Sequence, residues 1–598
     1  MIKQRTAIGI ENYKEIISKS YYYVDKTLLI KELLDKGSKV NLFTRPRRFG
    51  KTLALSMIKT FFEAEIDVYG ETIDNSEYFE GMKIEKAGEE YLAHRGQYPV
   101  ISLSLKSAKQ PNFEMAYKSL LGEIIKEYER HRYVLLGKAL LDKNKDKYND
   151  IMNGKAEKID YAKSLEFLSD CLKTYHKKNT IILIDEYDVP LENAHFEGFY
   201  NEMITFIRSL FESALKTNES LEFAMVTGCL RITEEAPSSL GSKRPHQVNE
   251  VGFPTKLEKT SLSSQCQSIF TGLNNLRIVS ILNQNYAEYF GFTQEEVAQM
   301  LMYYGMENRK EQVKDWYDGY LFGEVEVYNP WSVINYVADA RENQNYLPKP
   351  YWSNTSSNSI VRELVQRADN QAKQEIELLI HGKTIEKPIH EDITYDEVYK
   401  TQDNLWNFLY FTGYLKKEKE RQEEETILLT MKIPNREIRY IFSNIIRDWF
   451  TEKVSQVNRA PLHQAILAGD CEAMELILRR YLMEGISYYD NVESFYHGYM
   501  IGLLQGVPDY IMRSNREAGN GRPDIQLVPF DLKKTAIIIE IKKTEKLEEM
   551  ENKCQEALIQ IEEQQYDAEL KLEGYKEFRK YGICFCKKSC RVKLLPCI

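Results

Sequence analysis

No apolar stretch in the 598 residues reaches the roughly 18–20 needed to cross a bilayer. The opening MIKQRTAIGIENYKE lacks the apolar core of a secretory signal. The expectation is a protein that stays in the cytoplasm, with no membrane partner. Cysteine is scarce and odd in number, nine scattered along the chain, which suits a reducing compartment and excludes a disulfide scaffold. Positive charge is not in excess either. With 80 Lys and Arg against 90 Asp and Glu, the net charge of −10 excludes coating of nucleic acid by bulk electrostatics, which needs a basic face to displace counterions. Basic clusters are local only, at Arg45 to Arg48, at Lys542 and Lys543, and at Lys587, Lys588 and Arg591. Clusters of this kind are most often solvated faces. There is no internal repeat, and no low-complexity tract beyond the charged stretch Lys416 to Glu425.

What is present is enough for several cores. The chain far exceeds the roughly 250–300 residues at which single cores split, and 43% hydrophobic residues with 12% aromatics argue against global disorder. Short apolar runs at VNLFT (from Val40), YPVISLSL (Tyr98 to Leu105), NTIILIDEYD (Asn179 to Asp188) and LEFAMVTG (ending at Gly228) alternate with helical stretches. That alternation predicts a parallel α/β sheet. A Ser-, Pro-, Glu- and Lys-rich segment without period follows, read as an exposed insertion at about 233–267. From there to about 400 the pattern is mostly helical and reads as a lid, with Thr293 and Glu296 spaced as a capping box. FTGYLKKEKERQEEETILLTMKIPN (Phe411 to Asn435) reads as two strands joined by a charged turn, compatible with a winged-helix-like module or a plain hairpin. The last hundred or so residues read helix, three strands, helix, strand. The domains expected are 1–275, 276–400 (helical lid), 401–484 (helical connector) and 485–598.

Two constellations carry chemistry. TRPRRFGKT matches G-x-x-x-x-G-K-[ST] at Gly50, Lys51 and Thr52, with Arg45 in place of the first glycine. It follows a strand and opens a helix, so backbone N–H groups face phosphate oxygens. Lys51 is the candidate for the β- and γ-phosphates and Thr52 for Mg²⁺. Arg47, Arg48, Phe49 and Gly50 are candidates for nucleotide contact. The strand IILIDE ends in two acids, Asp185 for the Mg²⁺ shell and Glu186 to polarise the attacking water. Thr227, at the end of a neighbouring strand, reads either as a residue that orients the γ-phosphate or as a plain strand-end threonine. Arg231 reads either as a phosphate sensor or as a surface arginine.

Further on, GRPD and IIIEIKK set Asp524 ahead of Glu540 with fifteen residues between them, and Lys542 two beyond. In a strand Glu540 and Lys542 share a face while Ile539 and Ile541 enter the opposite core. Phosphodiester hydrolysis uses such a trio: carboxylates bind hard Mg²⁺, with Mn²⁺ as a substitute, while a cation orients water. Asp524 and Glu540 are the expected ligands and Lys542 the positioning cation. The terminal Cys584, Cys586, Cys590 and Cys597 lack paired C-x2-C knuckles, so Cys584 and Cys586 read as strand core instead of zinc ligands.

The pieces IGIENY, YYYVDKT, RPRRFGKT, IILIDEYD, TGCLRI, SIFTGLNNL, WYDGY, VYNPWS and IPNREIRY resemble a bacterial and archaeal group of AAA-ATPase-like proteins, over nearly the whole chain. The resemblance implies a P-loop NTPase domain with ATP as cofactor, an arginine in place of the first loop glycine, and Asp25 and Lys26 near the nucleotide pocket. The group joins TGCLRI almost directly to SIFTGLNNL, whereas some thirty further residues intervene here.

The C-terminal part resembles the PD-(D/E)XK nuclease superfamily, which implies an α-β-β-β-α-β restriction-endonuclease-like core. It also implies two further candidate metal ligands, Glu493 at the first helix and Glu517 in SNREAG. Gln560 and Tyr566 only loosely match a helical Gln/Tyr feature of some members, and His497 reads as structural. The fold class expected is α/β multidomain. The function expected is an ATP-regulated nuclease acting on DNA in preference to RNA, with a second copy or a regulatory protein as further partner. The competing reading is a signalling ATPase whose nuclease fold only binds nucleic acid or a partner.

Overall fold

The computed structural model describes residues 3–67, 69–137, 139–231, 233–234, 267–270, 273–343, 345–352, 361–365, 368–391, 402–424, 426–454, 458–485, 493–514 and 521–595. The chain forms two compact units, Met1–Trp352 with Glu386–Glu437, and Ser353–Ile385 with Ile438–Ile598.

The first unit is built on strands β1 (Val40–Thr44), β2 (Val100–Ser104), β3 (Thr180–Asp185), β4 (Leu221–Gly228) and β5 (Leu276–Val279), in the order β2-β3-β4-β1-β5. Every neighbouring pair is parallel. All residues of β1 and β3 are buried, as the uninterrupted apolar runs of a parallel sheet covered on both faces require. Helix α1 (Lys51–Phe62) follows β1 after the loop, and α2 (Val189–Glu197) follows β3. The fifth strand, β5, carries the sheet past residue 275, where the helical lid was expected to begin. Its four residues are mostly half-buried and too short to show a period.

The insertion lies outside the described residues over 235–266, while its flanks, Thr233–Glu234 and Gln267–Ser268, pair antiparallel. Helix α3 (Gln294–Tyr304) opens with the expected capping box of Thr293 and Glu296. A hairpin of β6 (Tyr320–Phe322) and β7 (Val325–Val327) leads into α4 (Pro330–Glu342), which is capped by the Asn329 side chain. Strands β8 (Ile385–Ile389), β9 (Lys416–Glu423) and β10 (Thr426–Lys432) form a three-stranded sheet in the order β8-β10-β9, and the β9–β10 hairpin falls in the chain between helices α5 (Gln402–Phe411) and α6 (Arg436–Val454). The charged hairpin is therefore part of a sheet with a third strand.

The second unit contains α7 (Ala460–Ala468), α8 (Cys471–Gly485), α9 (Glu493–Leu504), then β11 (Tyr510–Ser514), β12 (Ile525–Pro529), β13 (Ala536–Lys543), α10 (Met550–Glu563), β14 (Phe578–Cys586) and β15 (Ser589–Leu594). The sheet order is β11-β12-β13-β14-β15, antiparallel except for β13 with β14. This is the expected α-β-β-β-α-β core, extended by β15. Ile537, Ile539 and Ile541 enter one apolar core with α7, α8 and α9, while Ala536 and Ile538 face Leu558 and Ile561 of α10 on the other side. The sheet is thus covered on both faces.

Candidate nucleotide and nuclease sites

In the first unit the loop between β1 and α1 ends at Gly50, whose φ of 82° lies in the left-handed region that glycine alone enters without strain. Lys51 turns its ammonium back onto the loop, donating to the Arg45 carbonyl at 2.8 Å and the Pro46 carbonyl at 2.9 Å, with Cys229 Sγ at 3.6 Å. Thr52 Oγ1 donates to Asp185 Oδ2 at 2.7 Å and Thr227 Oγ1 donates to Asp185 Oδ1 at 2.5 Å. Lys51, Thr52, Asp185 and Thr227, from three elements, therefore converge at the C-terminal ends of β1, β3 and β4. Glu186 follows Asp185 at a φ of 52°, half-buried, and both burial and the Asp185 charge raise its ionisation above the ordinary carboxylate value.

The other loop residues hold the loop in place. Arg47 pairs with Glu192 of α2 at 2.6 Å. The Arg48 guanidinium stands 4.3 Å from the Trp331 ring centroid. Phe49 is fully buried against Tyr320 and Phe322, with ring centroids at 4.9 and 5.2 Å. Asp25 caps the Thr27 and Lys83 N–H groups, and Lys26 pairs with Glu296 at 2.6 Å. Arg231 is partly buried. One further residue escaped the motif reading: Asp188, buried, accepts the N–H groups of Cys229 at 2.7 Å and Leu230 at 3.2 Å. It shapes the turn after β4, and the only sequence signal for it was the third acid in IDEYD.

In the second unit Glu540 and Lys542 leave β13 on the α10 face, and Asp524 lies one residue before β12, beyond the Ile525–Ile539 pair. Asp524 Oδ2 accepts the Ile541 N–H at 2.7 Å. Lys542 Nζ donates to Glu540 Oε1 at 3.1 Å and to Gln560 Oε1 at 2.7 Å, and Gln560 Nε2 donates to the Tyr566 hydroxyl at 3.1 Å. Gln560 and Tyr566, whose spacing departs from any helical motif, thus meet at the site because α10 ends between them. Gln526, also missed by sequence, donates to the Tyr566 carbonyl at 3.1 Å.

Glu540 is 3% exposed and its Oε2 is buried with no hydrogen-bond partner among the described residues. Burial and the charge of Asp524 push its ionisation up to about 7. Two adjoining carboxylates, one with a buried oxygen that has no partner among the described residues, fit a divalent cation, for which Asp524 and Glu540 are the candidate donors. His497 Nε2 contacts the Asp524 carbonyl at 3.0 Å and so bears on the backbone of that loop. The Glu493 side chain and all of Glu517 lie outside the described residues. Cys584 and Cys586 pack with Cys554 and Met550, Cys590 packs on the opposite face, and Cys597 lies outside the described residues. No group of three or more His, Cys, Asp or Glu suited to a metal occurs among the described residues, and no described helix is long and apolar enough to cross a membrane.

A parallel sheet with a phosphate loop facing a strand-end acid defines a P-loop ATPase domain, and the mixed sheet bearing the Asp524 cluster defines a nuclease fold. Residues 7–236 match the model of the family described as "Predicted AAA-ATPase", and residues 491–594 match that of the PD-(D/E)XK nuclease superfamily. An "uncharacterized protein in vnfD 5'region" of Azotobacter chroococcum mcd 1 is 23% identical over 380 residues, 63% of this chain. The match spans 59% of that relative's own length.

Proposed function

We propose that the chain binds and hydrolyses ATP and is a divalent-metal-dependent nuclease that cuts phosphodiester bonds of DNA under control of the nucleotide, in the prokaryotic cytoplasm. The observation that carries this reading is Glu540: a buried carboxylate with one oxygen unpartnered, next to Asp524 and in contact with Lys542. Most buried polar atoms are hydrogen-bonded, so an open carboxylate oxygen beside a second acid supports a place for a cation.

At the first site Lys51 exchanges the two loop carbonyls for β- and γ-phosphate oxygens. Thr52 and Asp185 hold Mg²⁺, Thr227 keeps the Asp185 carboxylate oriented, and Glu186 accepts a proton from the attacking water. At the second site Asp524 and Glu540 hold Mg²⁺ or Mn²⁺, while Lys542 orients the water and offsets charge developing on the phosphate. Gln560 fixes the Lys542 ammonium. A divalent cation, when bound, supplies Lewis-acid polarisation of the scissile phosphate.

The test is cleavage of single- and double-stranded DNA and RNA with Mg²⁺ or Mn²⁺, with and without ATP, using Glu540→Ala as control. Cleavage lost in the control supports the reading. ATP turnover with nucleic-acid binding but no cutting would replace it with the binding-platform alternative.

A further inference from the structure

Arg45 stands where phosphate loops of this pattern have their first glycine, and its side chain is 0% exposed. Nη1 donates to the carbonyls of Thr44 at 3.0 Å and Val279 at 2.9 Å. The guanidinium carbon lies 5.0 Å from the Phe322 ring centroid and 5.3 Å from that of Phe290. Nε and Nη2 are buried without a hydrogen-bond partner, and among the described residues no carboxylate pairs with this cation. Burial lowers its ionisation to about 9, which leaves it charged near neutrality.

A buried cation without a counter-ion is unfavourable. Ring faces and two carbonyl dipoles offset only part of the lost hydration, and an apolar residue of similar volume at such a place is often neutral or stabilising. The backbone of the same residue belongs to the phosphate cradle. Its carbonyl accepts from Lys51 Nζ at 2.8 Å, and its N–H donates to the Gly228 carbonyl at 3.0 Å. The charge therefore sits one arginine side chain away from the phosphate-binding lysine. We infer that Arg45 is a positioning residue for the nucleotide's polyphosphate, acting through space: the anion that completes its electrostatics is the one the loop binds. Among the described residues no acid offsets its charge. At roughly 10 Å and an effective dielectric of about 20, a buried unit charge changes binding by about tenfold per unit of phosphate charge. The inference rests on the reading that this loop binds nucleotide.

The test uses the full-length protein with Arg45→Met, Arg45→Lys and Arg45→Gln, the last keeping hydrogen-bond donors without charge. Calorimetric affinities for AMP, ADP and ATP are measured with thermal unfolding in the absence of nucleotide. Arg45→Met is expected to melt at or above the parent temperature without nucleotide and to weaken ATP by about tenfold or more, ADP less and AMP least. Arg45→Gln should follow the same order, whereas Arg45→Lys should stay within about threefold for all three. A folded neutral variant that binds ATP like the parent, or loses the three nucleotides equally, overturns the inference. If Arg45→Met fails to fold, Arg45→Gln decides by the same criterion. A parent that binds none of the three sinks the nucleotide reading itself, and this inference with it.

Discussion

Glu540 and Asp524 give the second unit a pH signature. The ordinary value for Glu540 is 4.5 and burial beside Asp524 raises it to about 7, so between these values the folded protein retains a proton that the unfolded chain has released. Stability should therefore fall as pH rises through that window. Glu540→Gln removes the titration: without divalent metal, the variant should match the parent near pH 4.5 and exceed it at pH 8 by about 3 kcal/mol. Urea unfolding of both proteins at the two pH values checks this; parallel stability curves would count against a buried carboxylate pair. Mg²⁺ affinity of the parent should rise over the same interval, because the cation competes with the proton. At the other site Lys51→Ala is expected to abolish nucleotide binding, since it supplies the loop's phosphate-facing ammonium. Glu186→Gln should bind ATP and hydrolyse it slowly, and affinity measurements followed by turnover separate the two variants.

Helix α10 and strand β14 touch at Gly582, where an added Cβ would lie 2.3 Å from the Cys554 carbonyl oxygen. That obstacle is helix backbone, so Gly582→Ala should push α10 off the sheet and cost roughly 2–3 kcal/mol. Gln560 stands on the same helix and would withdraw from Lys542. Cleavage should fall more than the loss of folded protein explains, which activity per folded molecule at low temperature will show. The same elements mark what sequence could tell. VNLFT and IILID were legible because a strand buried on both faces is uninterruptedly apolar, and Thr293 with Glu296 because a capping box is local. Asp524, Glu540 and Lys542 were readable as a trio from strand alternation. Gln560 and Tyr566 were not, as they meet only through the turn after α10 and its packing on β13. Arg45 was legible only as a departure from the first loop glycine, and its place beside Phe290 and Phe322 follows from tertiary packing.

At the scale of the molecule, the division between the compact units falls inside α6, between Glu437 and Ile438. Glu437, fully buried in the first turn of that helix, accepts from Ser332 Oγ at 2.8 Å and from the Trp352 N–H at 2.9 Å, and burial raises its ionisation to about 7. Ser332 is next in sequence to Trp331, which lies beneath Arg48 of the phosphate loop. Glu437 thus ties the start of α6 to the element that stacks on Arg48 of the phosphate loop. If ATP biases that arrangement, Glu186→Gln held with ATP should cut DNA at a different rate from Lys51→Ala, which cannot bind it. Equal cleavage by the parent and both variants, at saturating ATP and with none, would mean that the two units act independently.

The Arg48–Trp331 stack has an optical consequence. The chain holds only five tryptophans, and one of them lies 4.3 Å beneath a cation of the phosphate loop. A phosphate that draws the guanidinium away changes the field at the indole and hence its emission, so nucleotide titration should be visible by intrinsic fluorescence without a label. Trp331→Phe should silence that signal while calorimetry still registers binding.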